Sequence, residues 1–98
     1  MIIRVDIDET ICTSPPDRNY ANATPMKDRI EHINTLYDAG HTIIYWTARG
    51  ATTGIDWREV TEKQFEKWGV KYHELYLDKP QYDIFVDDKN IEANVFFS

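Results

Sequence analysis

In the stretch MIIRVDIDETI, the acids Asp6, Asp8 and Glu9 occupy three of four positions at the end of an apolar run. Two carboxylates about 4 Å apart repel by roughly 4 kcal/mol at an effective dielectric near 20. Such an arrangement calls for a use, or for a cation that relieves it. Asp6 and Asp8 are two apart, so in extended backbone they point to one side and can face one reacting group. A carboxylate there can act as a nucleophile and form an aspartyl-phosphate. Its neighbour can donate a proton to the leaving oxygen and later take one from water. Further along, Thr47 and Arg49 follow the apolar run HTIIYW, Asp78 and Lys79 follow ELYL, and Asp87, Asp88 and Lys89 follow IFV. Thr47 offers a hydroxyl donor and Lys79 a positive charge for the oxygens of a transferring phosphoryl group. Four carboxylates (Asp6, Asp8, Asp87 and Asp88) make an oxygen-only set suited to Mg²⁺. No histidine or cysteine falls at these places, which argues against zinc.

The elements that must position these groups are readable from periodicity. Residues 2–6 read as a buried strand and 12–25, CTSPPDRNYANATP, as a long polar loop. Thr24 and Pro25 are placed to start a helix whose stripe is Met26, Ile30, Ile33, Leu36 and Tyr37, ending at Gly40. Thr42 to Trp46 predict a second strand. Asp56 and Glu59 have capping-box spacing ahead of a helix with Trp57, Val60, Gln64, Phe65 and Trp68 on one face, closed by Gly69. Residues 74–77 and 84–86 predict two more strands, and the tail IEANVFFS reads equally as a helical turn or a strand. The order β-α-β-α-β-β predicts an α/β, Rossmann-like three-layer fold, with a small parallel sheet between helices. In such sheets ligands bind at the carboxyl ends of the strands, which is where the polar groups above fall.

These residues resemble the four ordered motifs of the haloacid dehalogenase (HAD) superfamily of phosphatases: VDIDET, Thr47 after a strand, Lys79, and IFVDD. The likeness runs from Asp6 to Asp88. It implies an HAD-like domain with Asp6 as nucleophile and magnesium ligand and Asp8 as general acid/base that also meets the metal. Thr47 and Lys79 would bind phosphate, and Asp87 and Asp88 would ligate magnesium. The activity implied is a Mg²⁺-dependent phosphatase acting on a small phosphate monoester, a sugar or polyol phosphate foremost. Neither residues 12–25 nor 48–56 have room for the cap domain that many members carry. Thr10 and Arg49 are candidate substrate contacts, and Arg18, Asn19 and Tyr20 read as solvated loop residues, with a flap over the pocket as the alternative. His32, His41 and His73 share no ligand spacing. Two alternatives are a receiver-like phosphoacceptor module and an inactive binding module of the same fold. A receiver would place its phosphoacceptor Asp on a middle strand, where this chain has Thr47.

The 98 residues suit one domain, 1–98, with 42% hydrophobic content and a formal charge of −6. No basic run suggests nucleic acid or an anionic membrane as partner. The single cysteine, Cys12, excludes an internal disulfide and fits a cytoplasmic setting. The resemblance implies that a capless member accepts large or macromolecular phosphates or completes its pocket with a neighbouring subunit. The partners expected here are a small-molecule phosphate substrate and, with the oligomeric state open, a second copy in a homo-oligomer.

Overall fold

A three-stranded parallel sheet carries the candidate residues. The computed structural model describes all 98 residues. The sheet is built from β1 (Ile2–Val5), β4 (Thr42–Trp46) and β5 (Glu74–Tyr76), in the order β1-β4-β5. Helix α1 (Lys27–Asp38) joins β1 to β4, and α2 (Arg58–Trp68) joins β4 to β5. Val5 stands opposite Tyr45, and Tyr45 opposite Leu75, so these three point to one face. There they meet Ile30 and Ile33 from α1 and Phe65 from α2 in one buried cluster, joined by Ile7, Ile11, Cys12 and Ile43. The Tyr45 and Phe65 rings lie 4.8 Å apart.

The architecture is therefore α/β with a parallel sheet, but two layers deep where three were expected. Strand order advances in one direction, and right-handed crossovers then put both helices on the same face. The opposite face carries Arg4, Trp46 and Tyr76, with the Arg4 guanidinium 5.1 Å from the Trp46 ring and 5.7 Å from the Tyr76 ring.

Local expectations are met unevenly. Gly69 does end α2 in the left-handed conformation, with φ 70°. α1 starts later than Thr24 and Pro25 suggested: its N-cap is Met26, and Thr24 and Pro25 form β3. That strand pairs antiparallel with β2 (Cys12–Thr13), so the expected loop of 12–25 closes on itself as a small hairpin. Asp56 accepts the Arg58 N–H while Glu59 pairs with Lys63, so the expected capping box does not form. The tail resolves as the short helix α3 (Ala93–Phe96), capped by Glu92, with Phe96 and Phe97 packed back on the core and against His32.

The expected strand over 84–86 is absent. Residues 81–90 are all exposed and pair with no strand, and β1 and β5 remain the sheet edges. Ile84 is 79% exposed and Val86 90%, whereas the core isoleucines are sealed. Strand-forming residue types do not by themselves make a strand: 84–86 pair with neither of the two open edges. No helix is long and apolar enough to cross a membrane.

Candidate active site

β1 ends at Val5, and the chain then makes a tight turn. The Thr10 and Ile11 N–H groups both donate to the Ile7 carbonyl, and Glu9 takes φ 61°, a left-handed conformation uncommon outside glycine. Ile7 and Ile11 are fully buried and anchor this turn, leaving Asp6, Asp8 and Thr10 half-buried beside it.

Asp6 and Asp8 are each met by a protein cation. Lys79 Nζ lies 3.7 Å from Asp6 Oδ1, and Thr10 Oγ1 donates to Asp6 Oδ2 at 3.4 Å. The Lys79 ammonium is itself held among aromatic rings, with centroids of Tyr82 at 5.3 Å, Trp46 at 5.4 Å and Phe85 at 6.0 Å. Its backbone N–H donates to the Thr47 carbonyl, which ties the end of β5 to the end of β4. Burial pushes the Asp6 carboxyl above its ordinary range; Lys79 and the Ile7 N–H pull it part of the way back, and the nearby Asp8 charge adds to the rise.

Asp8 is held differently. Arg49 Nε donates to its Oδ2 at 3.0 Å and Nη2 to its Oδ1 at 2.9 Å, a bidentate pair. The hydroxyl of Ser14 donates to Oδ1 as well, and the Cys12 thiol approaches at 3.5 Å. Burial, and then the Asp8 charge, push the Cys12 thiol up to about 12. The repulsion between the two acids is thus relieved from within, by Lys79 on one and Arg49 on the other.

Arg49 corrects an expectation. It was a candidate substrate contact, yet its side chain is 0% exposed. Nη1 donates to Thr61 Oγ1 at 3.0 Å and Gln64 Oε1 at 2.7 Å, and Nη2 also faces Cys12 Sγ at 3.8 Å. A guanidinium has five N–H donors, and all five are engaged inside the protein. Thr47 is buried too, its hydroxyl accepting the Arg49 backbone N–H at 3.2 Å.

Asp87 and Asp88 do not join the others. Both sit in the exposed segment, where Asp87 accepts the Lys89 N–H. They act on each other: Asp88 is pushed up by its neighbour's carboxylate, and Asp87 is pulled down by hydrogen bonds from Asp88 and the Lys89 backbone. No three acidic, histidine or cysteine side chains gather closely enough to hold a metal ion. The donors as placed do not fit the four-carboxylate magnesium set that the resemblance implies.

Several site residues escaped sequence reasoning. Thr61 and Gln64 lie on the buried face of α2, and a polar residue on an apolar helical stripe was the available signal. Tyr20 was read only as a solvated or flap residue of the loop; its ring lies 4.9 Å from the Arg49 guanidinium and 5.1 Å from the Trp57 ring.

With this geometry in view, the chain was compared with known proteins. No protein-family model matches it, and no curated protein does. It is similar to a crystal structure described only as a target protein from Vibrio cholerae, 26% identical, with a TM-score of 0.86. The likeness covers 99% of this chain and 87% of that one, so the α/β fold is shared over the whole domain.

Proposed function

We propose that the chain is a phosphatase of the HAD type that hydrolyses a small phosphate monoester through an aspartyl-phosphate on Asp6. The observation that carries this reading is the meeting of Asp6 and Lys79, 73 positions apart in sequence (79 − 6), at the carboxyl end of the sheet. A half-open carboxylate with an ammonium beside it pairs a nucleophile with a positive charge for the oxyanion it attacks. Asp6 attacks phosphorus, the ester P–O bond breaks, and the leaving oxygen takes the proton from a protonated Asp8, whose Oδ2 accepts from Arg49 Nε alone and so has room to carry it. Water then attacks the acyl-phosphate with Asp8 accepting its proton, and inorganic phosphate leaves as Asp6 is regenerated.

Lys79 has two parts in this scheme. Its charge favours the ionised form of Asp6, which burial opposes, and it faces the phosphoryl group that Asp6 receives. The reading also takes magnesium as the cofactor, by resemblance alone. Because its donors are not assembled, the steps above rest on the chain's own groups. Sugar and polyol phosphates head the substrate list.

The test is phosphate release from a panel of monoesters, with and without Mg²⁺, using Asp6→Asn as blank. Release by the wild type and a loss of about 10³-fold or more in the variant are expected. Equal turnover by Asp6→Asn would remove Asp6 as nucleophile, and release unaffected by chelation would remove the metal.

A further inference from the structure

Asp8 and Arg49 form the most closed polar unit in the molecule. Every N–H of the guanidinium has a protein acceptor, from three parts of the chain: the turn after β1, the strand β2, and α2. The amide of Gln64 donates to the Tyr20 carbonyl, and the Tyr20 ring covers the guanidinium. Gly50 follows directly with φ 83°, and a Cβ there would collide with the Ile55 carbonyl, so the backbone carrying Arg49 is confined. A buried ion pair is weak evidence for stability, since well-packed apolar residues often serve as well or better. What a bidentate pair provides is direction.

We propose that Arg49 is a positioning residue, which fixes the Asp8 carboxylate in one orientation and ties that orientation to α2 and to residues 14–23. This rests on the phosphatase reading, because it assigns Asp8 a proton to carry. With no donor left for a substrate oxyanion, Arg49 acts through Asp8 alone. Thr61 and Gln64 support it by holding Nη1, so the helix that packs the core also aims the acid. A misaimed general acid slows the chemical step with little change in binding.

The experiment measures kcat and KM on β-glycerophosphate, an alkyl monoester whose leaving oxygen needs a proton, for the wild type, Asp8→Asn, Arg49→Gln, Arg49→Lys, Thr61→Val and the double variant Asp8→Asn/Arg49→Gln. Arg49→Gln is expected to lose about 100-fold in kcat with KM within about threefold. Arg49→Lys, lacking the fork, should recover little of that loss. Thr61→Val should lose about 3–10-fold in kcat, again with KM held. The double variant should match Asp8→Asn within about twofold, as expected of residues acting as a unit. A raised KM with unchanged kcat in Arg49→Gln would overturn the proposal in favour of a substrate contact. Additive losses in the double variant would overturn it too, by giving Arg49 a role of its own.

If Arg49→Gln fails to fold because Asp8 is left uncompensated, Arg49→Lys decides, since it keeps a positive charge beside Asp8 without the fork: a lowered kcat with KM held supports the positioning role, and an unimpaired kcat overturns it. A wild type that releases no phosphate from any monoester sinks the phosphatase reading and this role with it. An active wild type with an unimpaired Arg49→Gln sinks the positioning role alone.

Discussion

Two pairs of carboxylates follow apolar runs in this chain, and the fold treats them in opposite ways. Asp6 and Asp8 stand over the buried Ile7 and Ile11, each with a cation of its own. Asp87 and Asp88 follow Ile84, Phe85 and Val86, all exposed, and they find each other and the neighbouring Lys89 N–H but no cation from another element. Similar local patterns give one neutralised, directional cluster and one solvated pair. The difference lies in what the rest of the chain brings. Lys79 and Arg49 arrive from the ends of neighbouring strands, whereas the segment of 81–90 has no strand beside it. An acidic motif becomes a site through the elements that deliver its partners.

The largest expected effect tests the packed side of that contrast. Phe65→Ala, at 1% exposure beneath Tyr45, should cost about 3–5 kcal/mol in denaturant unfolding. A loss below about 1 kcal/mol would mean that the core under the site is not closed as described.

Next comes the chemistry of Cys12, which shares the Asp8–Arg49 unit. With its thiol raised to about 12, native protein at pH 8 should alkylate with iodoacetamide about 100-fold or more slowly than unfolded chain. Equal rates would show that the unit opens freely.

Lys79→Gln should then lower phosphate release by about 100-fold. It also removes the charge that holds Asp6 down, so the acid limb of kcat/KM should move to higher pH. Stability carries the matching sign. A carboxyl raised on folding binds more protons in the native state, so native stability falls as pH rises from the unfolded value, near 3.8, through the raised one. Asp6→Asn should therefore gain on the wild type across that window and hold its advantage above it. An advantage that shrinks with rising pH would contradict the burial of Asp6.

The smallest effect tests the solvated side. Ile84→Ala and Val86→Ala should each change stability by no more than about 0.5 kcal/mol. Losses of about 2 kcal/mol would place this segment against a sheet edge and bring Asp87 toward Asp6.

Much of the packed side was legible in the sequence. The runs around Ile3 and Ile43 are strands, the Ile30–Ile33 stripe is the buried face of α1, and Gly69 closes α2. The convergence of Asp6 and Lys79 followed from placing both at strand ends. The misses have physical causes. Strand propensity at 84–86 says nothing of whether an edge will accept it. Layer number depends on the direction in which strand order advances, which local pattern does not carry. Arg49 looked like a free charge beside a pocket, because its burial is set by Thr61, Gln64 and Tyr20 from distant segments.

The central claim is that Asp6, not its neighbours, takes the phosphoryl group. Acid-quenching the protein in the presence of a phosphate monoester, treating it with hydroxylamine and mapping the peptides by mass spectrometry tests this directly. A hydroxamate at Asp6 that vanishes in Asp6→Asn is expected. Modification at Asp8 or Asp87 instead, or none during active turnover, would contradict it.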